Sequence, residues 1–457
     1  MIEDGVINPV EIRTVSTPHR EINTALPCKD DMAVLADIAR FESRSMQGQF
    51  PIVWDRAEGF NIYDSCGNKW IDFTSTIFVT NVGHANRNVL DAVKSAMEKP
   101  IIHSYAYANK LRAEYQRALV DFAGAPFEKA FLLSAGTEAT EAGLKLMRMY
   151  GQKKGKRNLG IICIEGNWHG RTMGAQLMSS NKEQKSWIGM EDPHMHHLRF
   201  PYPWDVDEAA GASFFEKEIQ ALQKAGIDLS QDICGFMLET FQGWGAVFYP
   251  KSFIQAIEQG CREYDILLCF DEMQAGFGRT GRRFGYEHYE VTPDLICCGK
   301  GMGSGFPLSG VLGRTDVMDL PGVGNMSSTH SANPIVCAAG LATIAEIDRL
   351  DLVNESARKG ALLHSGLNAI RAKYSDRILF VLGEGMIAAL ILRDPATGKP
   401  DGALATAVSR RCLEKGLLTV HTGRESIKIG PPLVISDDAL LEGISVIEES
   451  LAEVLVA

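Results

Sequence analysis

Two charged side chains each close an apolar run in this chain. Asp271 ends the hydrophobic part of ILLCFDEMQAGFGRTG (Ile266 to Gly281), and Lys300 stands between glycines in LICCGKGMGSG (Leu295 to Gly305). A lysine whose neighbours lack a Cβ can approach a flat ring closely. Desolvation beside other cations lowers an amine's pKa until it serves as a Schiff-base nucleophile. A carboxylate at the buried end of a strand is costly unless paired. A protonated pyridine nitrogen is such a partner, and keeping it protonated lets the ring act as an electron sink. An aldehyde for Lys300 and a ring nitrogen for Asp271 describe one cofactor, pyridoxal phosphate.

Each residue also has a plainer reading. Lys300 alone could be a solvated loop lysine, and Asp271 a helix cap or a Mg²⁺ ligand. Asp271–Glu272 has the form of a Walker-B pair, but no GxxxxGK[ST] loop exists in the chain. The phosphate needs a cradle, and Ala135-Gly136-Thr137-Glu138 falls between an apolar run and a helical pattern. Unpaired N–H groups and the helix dipole would face an anion there, with the Thr137 hydroxyl beside them; a simple N-cap threonine fits the same residues. Trp168 and His169 could supply an aromatic plate for the ring. GFGRTG (Gly276 to Gly281) is formally the dinucleotide fingerprint GxGxxG, but no helical apolar spacing follows it. His194, His196 and His197 stand beside Pro193 with no acidic ligand at helical spacing, so they read as a surface loop and no metal is expected.

The elements that must position these residues are legible as patterns. GFNIYDSCGNKWIDF (Gly59 to Phe73) alternates around a Cys-Gly-Asn turn and reads as a β-hairpin. AFLLSA is a short apolar run, and Ala139, Ala142, Leu146 and Met149 after it have helical spacing. LGIICIEG, ICGFMLET, ILLCFDE, LICCGK and LSGVLGR are buried-strand candidates, with a helix in FIQAIEQGCREY between two of them. Such alternation gives an α/β fold: a mainly parallel sheet covered by helices, with ligands at the carboxyl ends of the strands. The expected division is an N-terminal segment over 1–85, a large cofactor domain over 86–345 and a small α/β domain over 346–457 that the N-terminal segment joins.

Bulk properties exclude several classes. At 457 residues, 45% hydrophobic and 23% charged, the chain reads as ordinary and globular. A formal charge of −11 argues against nucleic acid; QKKGKR (Gln152 to Arg157) reads as a solvated loop. No apolar stretch reaches bilayer length, and the acidic N-terminus lacks an apolar signal core. The ten cysteines form no CxxC pair and are read as buried reduced thiols of a cytoplasmic protein.

Together these segments resemble the class III pyridoxal-phosphate aminotransferases of fold type I over nearly the whole chain. The stretches that carry the resemblance are GFNIYDSCGNKWIDF, LLSAGTEATEAGLKLMR, NWHGRT, FDEMQAGFGRTGRRFGYEHYEVTPDL, GKGMGSGFPLSGVLGR and STHSANPIVCAAGLA. The resemblance implies that Lys300 binds the cofactor covalently and shuttles the proton, and that Asp271 partners the pyridine nitrogen. It implies Gln274 at the ring's phenolic oxygen, Met273 and Trp168 on the two ring faces, and Gly136 and Thr137 at the phosphate. Thr329 would reach in from the neighbouring subunit of a homodimer, and Glu239 would lie near the substrate.

Four positions depart from the family pattern. Ala135 replaces a phosphate-binding serine while keeping its backbone donor, Trp168 replaces Tyr or Phe, and Thr76 replaces a glycine before Gly83-His84. Lys428, in SIKIGPPL, stands where 4-aminobutyrate-type members carry a carboxylate-binding arginine, and lysine lacks the planar bidentate grip. Arg424 could substitute, or the donor could be a diamine or amino sugar with no nearby carboxylate. The resulting expectation is a ping-pong transaminase that moves an amino group from a primary amine or ω-amino acid to a 2-oxo acid. A racemase, epimerase or aminomutase on the same scaffold is the alternative, since it would use the same Lys300 and Asp271. A non-catalytic cofactor-binding regulator and a nicotinamide oxidoreductase fit the residues less well.

Overall fold

Seven strands, six of them apolar runs, pair into one sheet in the computed structural model, which describes residues 2–3, 6–99 and 101–456. In chain order the elements used below are α1 (Met32–Phe41), β1 (Asn61–Tyr63), β2 (Lys69–Asp72), β3 (Lys129–Leu133), α2 (Gly136–Lys153), β4 (Gly160–Ile164) and β5 (Met195–Leu198). They continue with β6 (Ile233–Glu239), α3 (Lys251–Glu263), β7 (Leu267–Asp271), β8 (Leu295–Cys298) and β9 (Ser309–Gly313). The large sheet has the order β5-β4-β6-β7-β8-β9-β3. Only β9 runs against the others, pairing antiparallel with β8 and β3.

Residues of β4, β6, β7, β8 and β9 are buried throughout, as expected of strands covered on both faces. Helix α2 packs Ala139, Leu146 and Met147 into a core that also holds Ile161, Met237, Cys269, Cys297 and Val311. Gly143 sets how closely helix and sheet approach: a Cβ there would lie 2.9 Å from Cys297 Sγ. Each fully buried Leu, Ile or Met contributes roughly 1.5–3 kcal/mol.

Two compact units result, one of Arg87–Asn354 and the other of Met1–Asn86 with Glu355–Ala457. The second unit carries the hairpin β1–β2 and a four-stranded sheet of β10 (Ile378–Leu382), β11 (Ala388–Leu392), β12 (Val420–His421) and β13 (Ser426–Ile429), in the order β10-β11-β13-β12. Between β2 and Gly83, Ser75, Thr76, Ile77 and Phe78 form a left-handed turn with φ from 47° to 68°. Without a Cβ the glycine usual at position 76 would adopt it freely; threonine occupies it under strain.

Several expectations need correction. His194–His197 is not a surface loop: Met195–Leu198 forms the edge strand β5, parallel to β4. His197 is half-buried there, with Nε2 3.0 Å from the Met178 carbonyl oxygen, and burial pushes its pKa down to about 4. The basic run Gln152–Arg157 is not wholly solvated, because Lys156 is buried and donates to the Tyr264 carbonyl at 2.9 Å. Cys28 and Cys66 are not reduced thiols but a disulfide with Cα atoms 6.4 Å apart, while the other eight cysteines are free and buried. No described helix is long and apolar enough to cross a membrane.

Candidate active site

Three adjacent parallel strands deliver the central side chains from their carboxyl ends. In register, Glu239 of β6 pairs with Asp271 of β7, and Asp271 with Cys297 of β8. Paired positions of a parallel ladder present side chains to the same face, so the two carboxylates share a face. Both are only 4% exposed. Two residues past β8 comes Lys300, in the left-handed region at φ 45°, a conformation that costs a non-glycine residue about 1–2 kcal/mol. Burial holds the Lys300 amine below the ordinary lysine range, and the charges of Asp271 and Glu239 partly oppose that. Such an amine is neutral, and therefore nucleophilic, over more of the working pH range.

Asp271 is fixed from two sides. Its Oδ2 lies 2.8 Å from Nδ1 of His169, a fully buried ring, and its Oδ1 accepts the Met273 N–H at 3.1 Å. The Nδ1–H tautomer of His169 donates this bond. His169 is itself held by its N–H to Ser179 Oγ at 3.0 Å and by its carbonyl, which accepts from Thr140 Oγ1 at 2.7 Å. The sequence reading gave His169 a place only beside Trp168 as an aromatic plate. Its actual signal is a histidine shortly after one strand, facing a buried acid at the end of another. Glu272 turns away: Thr240 Oγ1 and the N–H groups of Gly285 and Tyr286 donate to it, and burial pushes it up to about 7. It anchors the loop after β7, where Gly276–Gly281 lies in turns and leads to a 3₁₀ segment, so no dinucleotide-type helix begins there.

Glu239 accepts the Trp168 N–H at 2.9 Å through Oε2, and its Oε1 lies 3.4 Å from Gln274 Nε2. Trp168 and Gln274 are therefore placed by one carboxylate. The Arg171 guanidinium stacks 4.6 Å from the centre of the Trp168 ring. Met273 fills the space beside two glycines: a Cβ on Gly136 would meet its Sδ at 2.9 Å, and one on Gly299 at 2.6 Å.

The strand-to-helix turn before α2 holds the anion-binding features. Gly136 and Thr137 open α2, where the first N–H groups have no intrahelical acceptor. Thr137 Oγ1 lies 2.6 Å from Thr172 Oγ1, and Gly170 lies so close that a Cβ there would stand 2.3 Å from Thr137 Oγ1. The expectation that Ala135 keeps a free backbone donor is corrected: Glu138 folds back and accepts the N–H groups of Ser134 at 2.8 Å and Ala135 at 2.9 Å.

Thr329 is exposed in the same unit, its carbonyl oxygen 2.6 Å from His103 Nε2. Lys428 belongs to the other unit. It lies on β13, buried, with Nζ 4.4 Å from the centre of the Phe78 ring. Arg424 sits in the exposed turn before β13, with its guanidinium 3.2 Å from Glu425.

Known proteins resemble this chain in sequence and fold. The model of the aminotransferase class-III family matches residues 43–451. The chain belongs to that family. The aminotransferase is 32% identical to a probable 4-aminobutyrate aminotransferase of Bacillus subtilis, over 87% of its own length and 92% of the relative's. It is 32% identical to an acetylornithine aminotransferase of Archaeoglobus fulgidus, over 84% and 92%. An amine transaminase from an uncultivated Pseudomonas species, solved in its pyridoxal-phosphate-bound form, superposes with a TM-score of 0.82 at 25% identity, covering 90% and 97% of the two chains. The protein is thus a fold-type-I transaminase whose cofactor is pyridoxal 5′-phosphate. Its own residues fit that group: an amine of lowered pKa, a buried carboxylate beside it, and a helix N-terminus whose first glycine leaves no room for a Cβ.

Proposed function

We propose that Lys300 captures the cofactor aldehyde and carries the proton in each half of a ping-pong transamination, with Asp271 facing the ring nitrogen. The observation that carries this reading is the convergence of Lys300, Asp271 and Glu239 at the ends of neighbouring strands, with a lowered lysine pKa. When bound, pyridoxal phosphate supplies an aldehyde for the amino group and a ring that accepts the electron pair left by proton removal. His169 keeps the Asp271 carboxylate oriented, so the charge needed at the ring nitrogen is set before substrate arrives. Gly136 and Thr137 hold the phosphate through backbone N–H and hydroxyl groups, and Trp168 and Met273 flank the ring. Gln274 meets the phenolic oxygen.

The amino donor is a primary amine or ω-amino acid and the acceptor a 2-oxo acid. Glu239 and Lys428 are assigned to substrate binding. Lys428, as a point charge, grips a carboxylate less firmly than an arginine fork, which favours donors whose amine is remote from any carboxylate. We assign a homodimer in which Thr329 completes the neighbouring subunit's phosphate site. Ile101, Ile102, Tyr105 and Tyr107 lie exposed next to His103, the residue tied to Thr329, as an apolar surface awaiting a copy of the chain. A cytoplasmic location agrees with the eight free buried thiols, the Cys28–Cys66 disulfide being the exception there. The test is a half-reaction: purified holoenzyme mixed with single amines and ω-amino acids, without a 2-oxo acid. The visible cofactor band should convert to the pyridoxamine form with accepted donors and return on adding pyruvate or 2-oxoglutarate. Inversion of a chiral amino acid without loss of its amine would instead make the protein an isomerase.

A further inference from the structure

The first 42 residues lie outside the region that matches the family, yet one covalent bond ties them to it. Cys28 precedes the short 3₁₀ turn at Lys29–Asp31 and α1, and Cys66 sits in the β1–β2 turn. The bond closes a loop over a separation of 38 residues. Beside that bond Asp31 Oδ1 accepts the Ser65 hydroxyl at 2.6 Å, and from there to Gly48 the chain has few other attachments. Leu35 is the one buried residue of α1, and residues 36–49 are all exposed, including Phe41 at 73% and Met46 at 70%. The strap is next held where the Gly48 backbone hydrogen-bonds His421 and the Phe50 ring lies 5.1 Å from the same imidazole. There it becomes the wall of a 330 Å³ cavity of the same unit, lined by Phe50, Ile52, Trp54, Ile77, Leu413 and Leu418 among others.

The two cysteines differ in exposure. Cys28 is 1% exposed, whereas Cys66 is half-buried between exposed Ser65 and Gly67. Asp31 and Asp64 are both buried beside Cys28, a carboxylate oxygen of each and its Sγ all lying within 4.8 Å of one another. Of the pair, Cys66 is the one an external disulfide can reach. The other eight cysteines are all buried and offer no competing site.

We propose that Cys28 and Cys66 form a reversible thiol–disulfide site that exchanges with low-molecular-weight disulfides of the glutathione class and sets how firmly residues 29–50 are held beside the cavity. In the oxidising direction the Cys66 thiolate attacks one sulfur of glutathione disulfide. That bond breaks and one glutathione thiol leaves with the proton that Cys66 lost. Cys28, deprotonated in turn, attacks Cys66 Sγ and displaces the second glutathione thiol. Two electrons pass from the protein dithiol to the glutathione disulfide, and an excess of glutathione thiol reverses both steps.

The test uses full-length holoenzyme equilibrated in glutathione buffers of graded ratio. Free thiols are blocked and peptides mapped without reduction, and amide exchange of residues 32–50 is followed in the same samples. The linked Cys28–Cys66 peptide should form in disulfide-rich buffer and vanish in thiol-rich buffer. Exchange across 32–50 should be about tenfold faster or more in the reduced protein. Cys28→Ser and Cys66→Ser should show the fast exchange in every buffer. A pair that stays reduced in the most oxidising buffer, or exchange independent of its state, overturns the proposal.

Discussion

Lys300 carries its amine on a backbone at φ 45°, flanked by Gly299, whose missing Cβ makes room for Met273. Burial lowers the amine's pKa from an ordinary 10.5, against the pull of Asp271 and Glu239. The folded protein therefore binds fewer protons than the unfolded chain between the two lysine pKa values, and this group's contribution to stability rises with pH through that window. Because the neutral amine reacts, capture of pyridoxal phosphate by apo-protein should accelerate with pH to a plateau whose midpoint lies below 10.5. Stopped-flow absorbance reads it directly, and a midpoint at the ordinary value would contradict the burial argument. His169→Phe removes the donor to Asp271 without opening a cavity. A hydrogen bond to a charged group is worth about 1.5–3 kcal/mol, and urea unfolding of the apo-protein should show that loss. Lys300 and Asp271 were readable as endings of apolar runs. The Asp271–His169 contact was not, because the two are 102 residues apart and only the strand order brings them together.

At the scale of elements, the phosphate cradle depends on a close crossing of the Trp168–Thr172 segment over the first turn of α2. Gly170 has φ 132°, and an added Cβ would stand 3.0 Å from the Thr137 backbone as well as against its hydroxyl. Gly170→Ala is therefore expected to destabilise the protein by about 1–3 kcal/mol and to weaken cofactor retention, read by urea unfolding and by equilibrium dialysis. Unchanged stability would mean that the segment shifts freely. The strands of the large sheet were legible as buried apolar runs, since continuous Val/Ile/Leu/Cys stretches have few other places to go. The edge strand β5 was not, because MHHL carries two histidines and no apolar run. The role of Glu138 was equally hidden: a reversed cap is a matter of rotamer and leaves no spacing of its own.

For the whole molecule, the site requires a second copy if Thr329 acts across an interface. Sedimentation should give twice the chain mass. Ile102→Asp with Tyr107→Asp should produce a folded monomer that binds the cofactor at least about tenfold more weakly. A monomeric wild type, or a monomeric variant of unchanged affinity, would remove Thr329 from the site. The two compact units divide at residues 86 and 354, whereas composition and pattern alone suggested 85 and 345, the second of these inside a helix that shows no change of period there. The disulfide was invisible for a related reason, since two cysteines 38 residues apart carry no spacing motif. Borohydride treatment of the holoenzyme followed by peptide mass mapping tests the central claim most directly. The account requires the pyridoxyl group on the peptide containing Lys300 and no such adduct in Lys300→Ala, together with a fall in turnover of about 10³-fold or more. A pyridoxyl adduct on any other lysine, or an active Lys300→Ala variant, would contradict it.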